Sequence, residues 1–253
     1  MKLALALILA LAATQAAAAT PFDLYEQGKY SAAIAAGIAQ NSADGLAIAA
    51  RSELAAEAMR PARCLECIRR AEKFARNAIA IDPKNSDAHV FLAVALGREG
   101  RLLGTFTVLR ENYPMLAKKE LDAAVAADPN SAFAWAALGG WNVEIVRKGG
   151  ARLADLMYGA SLENGIAAFD RAFALQPGNI GLRYQLALTL SASDTGAYRA
   201  KIEEELSRVE TGKPNGAYEV FVQARAKELR DTLKKGDMDT YAALVSRDQG
   251  NPQ

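Results

Sequence analysis

The chain has 253 residues, with 30 Lys and Arg against 29 Asp and Glu, two cysteines and one histidine. A net charge near zero with no basic stripe argues against a nucleic-acid surface, which needs a cationic excess to meet phosphates. Abundant alanine, few β-branched runs and 7% aromatic residues favour close-packed helices over sheet.

In chain order, Lys2 precedes an apolar run from Leu3 to Ala13, and Ala17 to Ala19 supplies an A-x-A cleavage site. That is the pattern of a secretory signal peptide over residues 1–19, with the mature chain starting near Thr20. The run is shorter than the ~20 residues that a span needs, so it reads as cleaved rather than as an anchor. No cysteine stands at the cleavage site, which argues against a lipoprotein. Without Lys2, basic and acidic residues balance at 29 each. Gly28-Lys29-Tyr30 followed by Ala33 has the form of a turn and a second helix. Ala43–Met59 and Leu65–Ile81 follow as a helix pair broken by Pro61.

Cys64-Leu65-Glu66-Cys67 is the one motif with a chemical reading. Two cysteines in an exported chain normally pair. Three apart on a helix, their Cβ atoms lie about 5–6 Å apart, whereas a disulfide wants roughly 3.5–4.5 Å. The bond is easiest in a first helical turn, just after Pro61. Unpaired buried thiols and a redox or metal role stay open as alternatives. Ile68 excludes the C-x-x-C-H of a haem attachment. Zinc needs more ligands, and His89 is the only histidine.

A repeat then dominates the chain. Ala78–Pro83, Ala124–Pro129 and Ala172–Pro177 each place an alanine five residues before a proline. Three residues earlier stand Ala75, Leu121 and Phe169. Nine residues after each proline comes Leu92, Leu138 or Leu186, followed by Ala93, Gly139 or Ala187. Each proline ends a helix, because it cannot donate to the preceding turn and clashes with it. Asn85-Ser86, Asn130-Ser131 and Gly178-Asn179 offer caps for the next helix. The alanines mark close helix contacts. The prolines are 46 and 48 residues apart, and the surplus falls at about Leu102–Leu116 and Arg147–Ser161. Beyond the repeat, Tyr198–Val209, Ala217–Leu233 and Met238–Ser246 have apolar residues at three- and four-residue spacing, as capping helices of a solenoid would. The domain is expected over residues 20–247, with a disordered tail over 248–253.

Trp135-Ala136-Ala137-Leu138-Gly139 reproduces the W-x-x-L-G signature of the tetratricopeptide repeat. The units here exceed that repeat's roughly 34 residues. From about Ala71 to Leu190 the chain resembles the regulator of microtubule dynamics family, whose tetratricopeptide-like units are similarly stretched. His89, Ala93 and Gly97 carry the resemblance, with Leu138-Gly139-Gly140-Trp141 and Ser161, Glu163, Phe169 and Ala172 leading into Pro177. It implies an all-α, tetratricopeptide-like helical-repeat solenoid with an interaction role, often near membranes. The Ala-rich export signal points instead to a periplasm, where a microtubule role has no place.

No catalytic constellation stands out. His89 takes the place of Trp135 in its unit and reads as a helix-packing residue. The carboxylates are scattered, and neither Gly139-Gly140 nor Gly149-Gly150 has a phosphate-binding pattern. No cofactor or metal is implied. In tetratricopeptide proteins the first helix of each pair lines a concave groove. That geometry turns Val90, Val94, Phe133, Ala136, Gly140, Tyr184 and Leu188 inward, with Arg98 and Trp141 nearby. Either these residues bind a ligand or the inserted segments fill the groove and make them core. Trp135 is expected to be structural. The leading expectation is a periplasmic adaptor for a protein or peptide of the cell envelope; a carrier of lipid in a helical cavity is the alternative. Mass spectrometry of protein from an envelope fraction should show a chain starting near Thr20. Intact Met1 in a cytosolic pool would reject export.

Overall fold

The computed structural model describes residues 18–252. The expected signal peptide, apart from Ala18 and Ala19, lies outside the described residues. Those residues form fourteen helices: α1 (Pro21–Glu26), α2 (Tyr30–Gln40), α3 (Ala43–Ala58), α4 (Leu65–Ile81), α5 (Ser86–Leu102), α6 (Thr105–Arg110), α7 (Tyr113–Ala127), α8 (Ala132–Gly149), α9 (Ala151–Tyr158), α10 (Leu162–Leu175), α11 (Ile180–Asp194), α12 (Arg199–Thr211), α13 (Ala217–Lys235) and α14 (Met238–Gln249). The described residues contain no strand. Six antiparallel pairs account for twelve of the helices: α1/α2, α3/α4, α5/α7, α8/α10, α11/α12 and α13/α14. From α3 onward, the first helix of each pair also packs on the first helix of the next. The short α6 and α9 occupy the two places where the repeat carries surplus residues. This is the all-α helical repeat that the sequence pattern predicts.

The three proline turns are built alike. Asp82, Asp128 and Gln176 close the preceding helices by donating their backbone N–H to Ala78, Ala124 and Ala172, at 2.9, 3.0 and 2.9 Å. Two residues past each proline, Asn85, Ser131 and Asn179 accept from the N–H of Ala88, Ala134 and Leu182, which satisfies an orphan donor of the next helix. A third component escaped the sequence reading. Six residues past each proline stand His89, Trp135 and Arg183, which are chemically unlike. Each places a side-chain nitrogen against the carbonyl of its own proline, at 3.0, 2.9 and 3.0 Å. A carbonyl only accepts, so all three serve as donors.

Small residues set the helix spacing. Ala78, Ala124 and Ala172 are fully buried. Gly139 and Gly165 bring α8 and α10 together: a Cβ on Gly139 would stand 2.7 Å from the Phe169 ring and 2.8 Å from the Gly165 carbonyl oxygen. Two large cores result. One joins α3, α4, α5, α7, α8 and α9; the other joins α8 and α10 to α14, and Phe133 packs against both.

Two expectations need correction. The tail was expected to be disordered from residue 248, but α14 runs to Gln249 and Gly250 is buried. Asp248 holds it: its carboxylate accepts from the Tyr184 hydroxyl at 2.6 Å and from Arg247 at 2.7 Å. Gly250, at φ 79°, then ends the helix in the left-handed region. Second, Trp135 is only half-buried, whereas Tyr184 is 3% exposed within the C-terminal core. Aromatic-to-alanine changes in a core cost about 3–5 kcal/mol. Tyr184→Ala should therefore destabilise the protein by that order in urea unfolding, and Trp135→Ala by less than about 2 kcal/mol. The reverse ranking would contradict this packing.

Candidate functional site

The first helices α3, α5, α8 and α11 line one side of the repeat, as the groove geometry requires. Its part nearest the starts of these helices is occupied. Arg51 of α3 extends its guanidinium among four rings: Tyr25 at 4.3 Å, Phe133 at 4.9 Å, Phe22 at 5.6 Å and Phe91 at 6.0 Å. Those rings come from α1, α5 and α8. Arg51 enters no ion pair among the described residues, and the ring faces attract its charge. Burial pushes the Tyr25 hydroxyl up to about 12, with the Arg51 charge opposing the rise. Burial likewise raises the Asp87 carboxyl, and Arg51 again pulls the other way.

The expected groove residues divide accordingly. Val90, Trp141, Tyr184 and Leu188 are buried, as is Ala136, and belong to the cores. Trp141 donates its indole N–H to the Pro114 carbonyl at 3.0 Å. The groove reading is wrong for these residues. What fills that space is Arg51 with α1 at one end and α14 on Tyr184 at the other, while Trp141 is covered from the inserted segments, by Pro114 and by Tyr158 of α9. Val94, Arg98 and Phe133 remain partly exposed, as do Ala137 and Gly140. Helical spacing puts Val94, Arg98 and Arg101 on one face of α5 and Phe133, Ala137, Gly140 and Glu144 on one face of α8, and Arg101 meets Glu144 between them. This strip between two helices is what remains of the groove.

Its far end is charged. Arg98 donates to the Leu54 carbonyl at 2.6 Å and to Glu57 at 3.0 Å, and Arg63 stands 3.4 Å from the same carboxylate. Arg101 reaches across to Glu144 at 4.0 Å, and Arg147 binds Glu144 at 2.7 Å. Four guanidinium groups thus share two carboxylates. The Arg101 Nε is buried without a hydrogen-bond partner. Burial lowers the Arg101 guanidinium from its ordinary value; Glu144 opposes this, and Arg98 and Arg147 add to it. The arrangement leaves a local excess of positive charge, four guanidinium groups on two carboxylates. The sequence showed Arg98 here but gave no signal that α3, α5 and α8 would bring their C-terminal ends together.

Cys64 caps α4 and Cys67 lies in its first turn, with Cα atoms 5.2 Å apart in disulfide geometry. Placement at a helix start, as Pro61 suggested, resolves the spacing problem. His89 is buried, with Nδ1 2.6 Å from Glu120, which supports its reading as a packing residue. Among the described residues, no group of three or more His, Cys, Asp or Glu is placed to hold a metal, and no helix is long and apolar enough to cross a membrane.

Burial tends to raise the Glu144 carboxyl, but the Arg147 hydrogen bonds and the Arg101 and Arg147 charges outweigh it and hold it below 4.5. A depressed carboxyl stabilises the fold above its unfolded value and loses that contribution as pH falls through the folded one. Glu144→Gln should therefore lower the melting temperature by about 3 °C or more at pH 7, and the gap to wild type should close below pH 4.5. A gap that widens in acid would mean that the carboxyl is raised instead.

No curated protein matches the chain. The family model for Regulator of microtubule dynamics protein 1-3 matches residues 44–234, from the start of α3 to the end of α13. That span includes both inserted helices, the arginine-rich strip and the three proline turns, and the chain belongs to this family.

Proposed function

We propose that the protein is a non-catalytic, tetratricopeptide-like adaptor of the periplasm that binds a protein or peptide of the cell envelope along the α5–α8 strip. The observation that supports this reading is the strip itself: a partly exposed apolar floor of Val94, Phe133 and Ala137 leading to four arginines on two carboxylates. An extended or helical segment with an acidic end matches that order of apolar floor and cationic rim. Charge at the rim of an open strip favours this reading over a lipid carried in an enclosed apolar cavity.

Gly140 offers a clean test. A Cβ there would meet only the Thr189 hydroxyl, at 4.0 Å, so Gly140→Phe should obstruct the strip while leaving the fold intact. Crosslinking in an envelope extract should retain partner proteins on the wild type and lose them by at least about tenfold in Gly140→Phe, with Arg101→Glu giving a similar loss. Unchanged capture by both folded variants would place binding elsewhere. Co-purifying lipid lost in their place would favour the carrier.

A further inference from the structure

The two inserted helices carry an apolar surface that the repeat itself does not use. Phe106 and Leu109 of α6 are 76% and 61% exposed, and Leu153, Leu156 and Met157 of α9 are 51%, 79% and 58% exposed. Spacing of three and four residues puts the α9 trio on one face, while Ala154 is buried beneath. A cluster of large apolar side chains in water marks a site that something covers.

Both helices project from the same edge, because each follows the C-terminus of a first helix. Trp141 ties α9 to the start of α7, the helix that follows α6. Its N–H holds the Pro114 carbonyl just beyond α6, and Tyr158, the last residue of α9, meets the indole ring edge-on at 6.4 Å.

Charge identifies the occupant. Residues 105–119 and 148–158, which contain this edge and none of the strip's charged groups, hold five Lys and Arg against two Asp and Glu; the rest of the chain holds 25 against 27. Lys119, Lys148 and Arg152 are exposed and enter no ion pair among the described residues. Of the nearby exposed carboxylates, Glu111 is paired with Arg110 and Asp122 with Lys118, which leaves Asp155 and Glu163. Apolar side chains ringed by unpaired cations are what an interfacial helix offers to an anionic bilayer. Protein interfaces, in contrast, are depleted in lysine.

We propose that the α6–α9 edge docks the protein peripherally on an anionic lipid surface. Phe106, Leu109, Leu156 and Met157 enter the headgroup boundary, and Lys119, Lys148 and Arg152 meet lipid phosphates. This does not depend on the adaptor reading, since the edge lies outside the α5–α8 strip.

Vesicle flotation tests it, using the chain from Thr20, which retains every helix described. Vesicles of phosphatidylcholine with phosphatidylglycerol should carry the wild type, and vesicles of phosphatidylcholine alone should not. Phe106→Glu/Leu156→Glu should weaken flotation by at least about tenfold. Lys148→Glu/Arg152→Glu should weaken it by a similar factor, and added salt should mimic the charge reversal. Circular dichroism confirms that these exposed changes leave the helices in place. Three results would overturn the proposal: no flotation of the wild type, equal flotation on both vesicle types, or variants that float as well as wild type. Concentration-dependent dimers abolished by Leu156→Glu, with no flotation, would assign the edge to a second copy of the chain instead.

Discussion

A single cation organises the inner side of this repeat. Arg51 is set on α3, yet the rings that surround it belong to α1, α5 and α8. No carboxylate lies within ion-pair distance of it among the described residues, and aromatic faces arrive on it from several helices at once. The contact draws α1 across the inner side and covers one end of the groove. Everything open to a ligand on this side is displaced toward the C-terminal ends of the first helices. There the arginines accumulate, where the negative end of a helix dipole favours them.

Alanine-rich interfaces supply close approach but little register, because one small side chain packs much like another. Buried carboxylates contribute what the alanines lack. Glu53 holds Arg70 between α3 and α4, Glu99 holds Arg69 between α4 and α5, Glu57 holds Arg98 between α3 and α5, and Glu205 holds Arg183 between α11 and α12. Each carboxylate is buried on its own helix and is met by an arginine from another. Removing one partner of such a pair strands a buried charge, whereas the intact pair adds little net stability. Their effect is to fix which turn of one helix faces which turn of the next.

Helix boundaries were legible because they are set locally: Pro83, Pro129 and Pro177 act on the turn that precedes them, and Asn85, Ser131 and Asn179 act three residues ahead. The groove was not legible, because burial there is decided by contacts distant in sequence. Tyr184 is core because Asp248, 64 residues on, accepts its hydroxyl. Phe133 is half-covered because Arg51 reaches it across α5. Val90 and Val94 share a helix face and a chemical character, yet one is buried and the other is not. The surplus segments around α6 and α9 could be located but not oriented, since periodicity shows an apolar face without showing whether anything covers it.

The turn donors at His89, Trp135 and Arg183 bear on how such repeats diverge. An imidazole, an indole and a guanidinium have little in common as letters of an alphabet, but at this position they are synonyms. The constraint is on the bond to the proline carbonyl, so evolution can spell it several ways without moving a helix. A pattern that insists on tryptophan reads one unit in three here and overlooks its neighbours. Defined by the atom that it must donate to, the position is uniform along the chain, and the same grammar can hide in repeats whose letters have drifted further.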